Sequence, residues 1–296
     1  MKFLTTLFTI TCINFSTFIS AQGMNDVEIK STKLTERIYV LEGAGGQIGV
    51  SVGEDGVFII DDQFSPLSNK IITKLKELSD KPISIVVNTH FHGDHTGGNE
   101  NMGKLGATII AHENVRERLE NTPKRDGTKN SKEALPVITY NDKMSIYING
   151  EQVAIYHSKN AHTDGDSLLY FTESNVLHTG DTYFSGWYPY IDLKSGGSVN
   201  GYIDTVKRSL ILIDDDTIII PGHGPISNKK EYSAYLVMLE TLKERILTKI
   251  KAGLSEDEIV NDSTLTSDFD DQGFSWRFIT SEKIRRTFYQ SLKGTL

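Results

Sequence analysis

Apolar residues along this chain recur in two rhythms, and the switches between them mark out its elements. Short β-branched or apolar runs over 38–41, 47–52 and 57–60, interrupted by the Gly43 to Gly46 break, read as a meander of strands. The third run ends in Asp61-Asp62. Ser65-Pro66 then supplies a helix cap and a first-turn proline, and Ile71, Ile72, Leu75 and Leu78 follow at helical spacing. A strongly β-forming run over 83–89 completes a βαβ unit, and the carboxyl end of such a strand is where α/β proteins place their chemistry.

Beyond it the pattern predicts a short helix near 100–105, a strand over 107–111 and a helix over 114–120. The polar stretch 121–133, with Pro123, Gly127 and several lysines, reads as a mobile loop, and the sequence leaves open whether it borders the active site. A second set of strands is expected over 137–140, 144–148, 152–157, 167–171 and 175–177, followed by a helix over 202–213 and a strand over 217–220. The strand and helix pattern thus occurs twice around a β-rich middle, which suggests two packed sheets with helices outside. From about 228 to 296 the chain is helical. Apolar residues keep helical spacing over 229–251 up to Gly253, Ser255 and Glu258 form a capping box, 268–273 is acidic and loop-like, and a last helix covers 281–292. Trp276 is assigned to packing in this outer layer.

Composition changes this picture at one end only. Of 296 residues 38% are hydrophobic and 24% charged, ordinary globular material, and residues 22–296 read as a single domain. Residues 1–21 stand apart. Lys2 precedes an uncharged, largely apolar stretch over 3–19 and then Ser20-Ala21-Gln22, the pattern of a signal peptide cleaved after Ala21. The expected destination is the periplasm or the medium, with no stable membrane anchor once the leader is gone. Cys12 is the sole cysteine and leaves with the leader, so neither disulfides nor a thiolate metal ligand are expected. Loss of Lys2 takes the formal charge from −8 to −9. An acidic chain without basic clusters is unsuited to nucleic acid or to an anionic membrane, and the expected partner is a small-molecule substrate.

The chemistry concentrates at His90-Phe91-His92-Gly93-Asp94-His95, directly after the run over 83–89. Three imidazoles and a carboxylate in one turn suit zinc, which takes nitrogen and oxygen ligands in tight geometry. At an extended strand end His90 and His92 share a side and can bind one ion. Gly93 then lets the chain turn, so that Asp94 and His95 face a neighbouring ion. Further candidates follow strand-like runs in glycine-bearing turns: His162 in Asn160-Ala161-His162-Thr163-Asp164-Gly165-Asp166, Asp181 in His178-Thr179-Gly180-Asp181, and His223 in Pro221-Gly222-His223-Gly224. Thr163 and Asp166 are expected to brace the first of these loops. His112, His157 and His178 are read as structural.

This order of residues, His90-x-His92-x-Asp94-His95 and then His162, Asp181 and His223, resembles the full ligand set of the metallo-β-lactamase superfamily over roughly 36–226. The resemblance implies an α/β fold, a four-layer αβ/βα sandwich, with two zinc ions at the edges of its sheets. His90, His92 and His162 would hold the first ion, Asp94, His95 and His223 the second, and Asp181 would bridge them. Asp61 resembles the family's aspartate that accepts a hydrogen bond from a ligand histidine. Two Zn²⁺ and two carboxylates call for a shared hydroxide, which would attack a substrate carbonyl while Asp94 orients it or shuttles a proton to the leaving group. Iron or manganese also suits a mixed His/Asp site.

Substrate choice rests on loops. Tyr183, Phe184, Trp187, Tyr188 and Tyr190 follow Asp181 and are expected at the pocket mouth, suiting a partly apolar substrate. The most similar β-lactamases carry a cysteine where Asp181 stands and a carboxylate-gripping lysine where Phe184 stands. Thr179-Gly180-Asp181-Thr182 is closer to glyoxalase II, and Tyr183 lies near a tyrosine of acyl-homoserine lactonases. The expected function is an exported di-zinc hydrolase opening a cyclic amide or ester, β-lactam first and lactone second. The alternatives are a thioesterase of glyoxalase II type and a metal-binding module without hydrolysis.

Overall fold

The computed structural model describes residues 21–123 and 127–294. Residues 1–20 of the expected leader, and 124–126 of the expected polar loop, lie outside the described residues. Among the described residues no helix is long and apolar enough to cross a membrane.

The first sheet opens with the meander. Strands β1 (Lys30–Lys33), β2 (Ile38–Glu42), β3 (Ile48–Gly53) and β4 (Gly56–Ile60) pair antiparallel in sequence order. The helix Ser68–Leu78 then carries the chain across to β5 (Ile83–Val87), and β6 (Thr108–His112) and β7 (Ile138–Tyr140) extend the sheet with parallel pairing. The run over 137–140 therefore belongs to the first sheet, not to the second set of strands where its position in the sequence had suggested it. The segment between β6 and β7, which includes the helix Glu113–Asn121, returns the chain to the same end of the sheet, and such a crossover makes its strands parallel neighbours.

The second sheet holds β8 (Lys143–Ile148), β9 (Glu151–Ser158), β10 (Asp166–Phe171), β11 (Val176–His178), β12 (Ile218–Ile220) and β13 (Ser227–Asn228), in the order β13-β12-β11-β10-β9-β8. Only the β11–β12 pair is parallel, because the helix Val199–Leu212 intervenes. Alternation along the strands builds the layers. In β4, Phe58 and Ile60 point between the sheets against Phe171, Val153 and Ile220, while Val57 and Ile59 point outward against Ile71 and Leu75 of the first helix. All of β4 is buried, as expected of a strand covered on both faces.

The outer face of the second sheet is covered by the helices Val199–Leu212, Lys229–Lys251 and Ser281–Lys293, which bury Tyr202, Tyr235, Leu239 and Phe288. The result is the αβ/βα sandwich. In the helical C-terminal part the Ser255–Glu258 capping box is formed, and the acidic stretch contains a short helix, Ser267–Asp270. The carboxyl ends of β4, β5, β9, β11 and β12 lead into Asp61, His90, His162, Asp181 and His223 respectively, so sheet topology alone delivers these residues to one end of the sandwich.

Candidate metal centre

The central motif leaves β5 through Asn88 and Thr89 and enters a short helix, Gly93–Thr96, for which His92 is the residue at the N-terminal boundary. Asp94 and His95 thus project from a helical turn, while His92 is extended and His90 lies in the bend that follows β5. Gly93 has no steric necessity: a Cβ there would meet nothing within 4 Å. The expectation that this glycine makes the turn possible is therefore corrected. The glycines that do make room are Gly46, where a Cβ would lie 2.0 Å from Cε1 of His95, and Gly222, where it would lie 2.2 Å from Oδ1 of Asp181.

The seven residues converge as two groups, His90, His92, His162 and Asp181 in one, Asp94, His95 and His223 in the other. In the first, His92 Nδ1 lies 3.1 Å from His90 Nε2 and 2.9 Å from His162 Nε2. In the second, Asp94 Oδ2 lies 3.3 Å from His223 Nε2 and 3.6 Å from His95 Nε2. Asp181 stands between them. Its Oδ2 is 3.5 Å from His162 Nε2 and 3.8 Å from His90 Nε2, and its Oδ1 is 3.1 Å from His95 Nε2 and 3.4 Å from His223 Nε2.

Outer contacts explain why these nitrogens face inward. Asp61 ends β4 in the left-handed region (φ 63°), a conformation that aspartate tolerates better than most side chains. Its carboxylate accepts from Thr89 N at 2.7 Å, Thr89 Oγ1 at 2.8 Å and His95 Nδ1 at 2.7 Å. Thr89 Oγ1, having given its proton to Asp61, accepts from His90 Nδ1 at 3.0 Å. His162 Nδ1 donates to the Tyr190 carbonyl at 2.7 Å, and His92 Nε2 to Asp192 Oδ2 at 3.2 Å. With the outer nitrogens as donors, the inner ones carry lone pairs aimed at each other.

Lone pairs facing one another across about 3 Å need a cation between them. Two buried atoms agree, since His95 Nε2 and Asp181 Oδ1 face each other at 3.1 Å and neither has another hydrogen-bond partner in the interior. The field has the matching sign. Burial opposes a charge on His95, yet Asp181, Asp94 and Asp61 push its pKa well above the usual imidazole value; His223 is likewise driven up to about 9 against burial by Asp181 and Asp94. Burial would raise Asp94, but His95 and His223 bring it down to about 2. Burial lowers His90 well below its ordinary value and His162 to about 4, which keeps both neutral and able to ligate. A donor set of imidazoles and carboxylates in this field fits divalent metal.

Residues 46–223, more than half of the chain, match the metallo-beta-lactamase superfamily. The chain belongs to that superfamily. Among relatives, it is 24% identical over 229 residues to the 2,4-dinitroanisole O-demethylase subunit alpha of Nocardioides sp., covering 76% of this chain and 66% of that one. It is 29% identical over 157 residues to the hydroxyacylglutathione hydrolase of Polaromonas sp., covering 51% and 52%. The chain thus spans about half to two-thirds of the length of these relatives. Among solved structures, a metallo-beta-lactamase from Pontibacter korlensis superposes with TM-score 0.62 at 18% identity, over 72% of this chain and 99% of that one. A stereoselective inverting sec-alkylsulfatase from Pseudomonas sp. gives 0.70 at 18% identity, over 91% and 51%. These likenesses concern the fold.

Around the superfamily's residue set, other expectations need adjustment. Tyr183 and Tyr188, expected at the pocket mouth, are buried in the core beneath the second sheet's helices. Tyr183 bonds Ser227 and packs on Tyr232, and the Tyr188 hydroxyl donates to Asp270, so hydrogen bonding at their polar tips secures them inward. Phe184 is also buried but stacks on His223 at 5.2 Å, and Trp187 stacks on Trp276 at 5.2 Å. Trp276 does more than pack. With Phe278, which is 51% exposed, it extends an aromatic wall from Tyr190, stacked on His92, to Phe184 on His223. Sequence reasoning missed Thr89, Asp192, Gly46, Gly222 and Phe278.

Thr163 N and Oγ1 both donate to Asp166, closing the His162 loop. His178 is held by the Gln47 carbonyl and the Gly180 amide, and His112 and His157 stack on each other; none of the three belongs to either donor group. The described ends of the 121–133 stretch pack against neighbouring helices, through Asn130 to the Leu119 carbonyl and through residues 132–134 against the helix Asn99–Lys104.

Proposed function

We propose that this chain is an exported di-zinc hydrolase that opens a cyclic amide or ester, a β-lactam first and a lactone second. The observation that carries the reading is the position of Asp181, which offers one carboxylate oxygen to each of two donor groups otherwise made of five imidazoles and Asp94. His90, His92 and His162 would hold one ion and Asp94, His95 and His223 the other. When bound, zinc supplies Lewis acidity and lowers the pKa of water from about 16 to about 7.

The chain's own groups do the rest. Asp94 is 28% exposed and held ionised by His95 and His223, so it would orient the attacking water or pass a proton to the leaving group. His92 and His223 are the histidine ligands that reach solvent, at 19% and 18%, and the aromatic wall runs between them. That wall suits an apolar group beside the scissile bond and keeps bulk water away from it. Lys283 sits 3.9 Å over the Phe278 ring, with only burial acting to lower its pKa. Its ammonium suits an anionic substituent on the substrate, Phe184 standing where the β-lactamases carry their lysine.

The test is turnover of nitrocefin and of an acyl-homoserine lactone, with and without chelator. Chelator-sensitive turnover of either supports the reading; turnover of neither by zinc-loaded protein removes the substrate assignment. A second reading, a thioesterase of glyoxalase II type, is favoured by the 29% identity to a hydroxyacylglutathione hydrolase, and S-lactoylglutathione in the same assay decides between them. Export rests on the leader pattern over 1–21. Mature protein recovered from the periplasm or medium with Gln22 as its first residue supports it, and intact cytoplasmic protein contradicts it.

A further inference from the structure

We infer that Asp192, together with the Tyr190 carbonyl, is a positioning device that sets how tightly the first ion is held. The inference rests on the two-ion reading and concerns residues that lie outside the ligand set.

His92 is the ligand with the unusual orientation. It presents Nδ1 to the centre, where His90, His95, His162 and His223 all present Nε2. A histidine that ligates through Nδ1 must carry its proton on Nε2, and Nε2 of His92 points at Asp192 Oδ2, 3.2 Å away. The tautomer required for binding is therefore the one that Asp192 favours. The same short segment fixes a second ligand of that ion: the Tyr190 carbonyl accepts from His162 Nδ1 at 2.7 Å, and Asp192 N donates to the His162 carbonyl at 2.9 Å. The Tyr190 ring lies over His92 with an interplanar angle of 23°. Two of the three histidines of the first group thus lean on residues 190–192.

His90 and His95 lean elsewhere. His95 bonds Asp61 at the end of β4, inside the sandwich. His90, of the first group, reaches the same carboxylate through Thr89, so Asp61 supports one ligand of each group and Asp192 and Tyr190 support two of the first alone. Asp192 is in a loop, and its two oxygens have separate tasks. Oδ2 holds His92, while Oδ1 accepts from Ser195 N and caps the turn Leu193–Ser195. That division allows the positioning role to be separated from a merely structural one, because serine can replace the cap but is too short to reach His92.

The test is stepwise zinc titration of metal-free protein against a chromophoric chelator, with the thermal midpoint of the metal-free form as a folding control. D192S and D192A are expected to weaken one of two zinc equivalents by about 10–100-fold and leave the other unchanged. A D192S protein that binds both equivalents like the parent overturns the inference, as does equal weakening of both. If the variants do not fold, ring ¹⁵N–¹H spectra of the zinc-loaded parent decide. A persistent His92 Nε2–H with Nδ1 coordinated supports the proposal, and coordination through Nε2 overturns it. A parent that takes up only one zinc contradicts the two-ion reading, whereas two equivalents in parent and D192S alike contradict the role of Asp192 alone.

Discussion

At Gly46 the centre tolerates a hydrogen atom and nothing larger, because a Cβ would sit 2.0 Å from Cε1 of His95. The histidine cannot retreat, since its Nδ1 is held by Asp61 at 2.7 Å within the interior. G46A is therefore expected to displace His95 and lower the zinc content of purified protein from two per chain towards one, read by elemental analysis; two retained equivalents would count against the proposed second site. The seven proposed ligands were legible from sequence because each follows a strand-like run in a turn rich in glycine, where ligand types are dense and packing gives no other reason for them. Gly46 and Asp192 were not. Each acts through a contact far along the chain, 100 positions in the case of Asp192 and His92, and neither a periodicity nor a local motif marks it.

Elements carry their own consequences, as at the end of β6 and along β9, where His112 and His157 stack at 3.8 Å with an interplanar angle of 15°. His112 accepts from Asn114 N and donates to the Asn141 carbonyl, and His157 Nδ1 donates to the Asp166 carbonyl, so both are neutral rings in the folded state. Burial lowers the pKa of each, and for His157 the neighbouring His112 lowers it further. The unfolded chain then binds more protons than the folded one below pH 6.5. The stability these rings contribute is present above that value and is lost as pH falls through the depressed values. The thermal midpoint should drop between pH 7 and pH 5, and H157Q should show a shallower drop; an unchanged slope would remove the stack from the account. Strand and helix periods placed most elements correctly. They did not say which sheet residues 137–140 would join, because that depends on the crossover and not on the run itself. Nor did composition separate Tyr183 and Tyr188, turned into the core, from Phe278, which faces the site from a distant segment.

For the whole molecule, the sandwich brings the carboxyl ends of strands from both sheets to one end, and the two donor groups form where they meet. Because the ligands come from both sheets, a bound ion ties the sheets together, and metal that binds only the folded state stabilises it. Zinc at a hundredfold excess over its Kd would add about 2.7 kcal/mol for one site, raising the thermal midpoint by roughly 5–10 °C for a chain of this size. Chelation should reverse the shift, and a midpoint indifferent to zinc would mean that the centre does not bind it in the folded state. The central claim, a hydrolase that needs both ions, is tested most directly by nitrocefin turnover as zinc is added stepwise to metal-free protein. The account predicts no turnover without zinc and a rise that levels off at two equivalents per chain. Turnover by fully chelated protein, or a plateau reached at one equivalent, would contradict it.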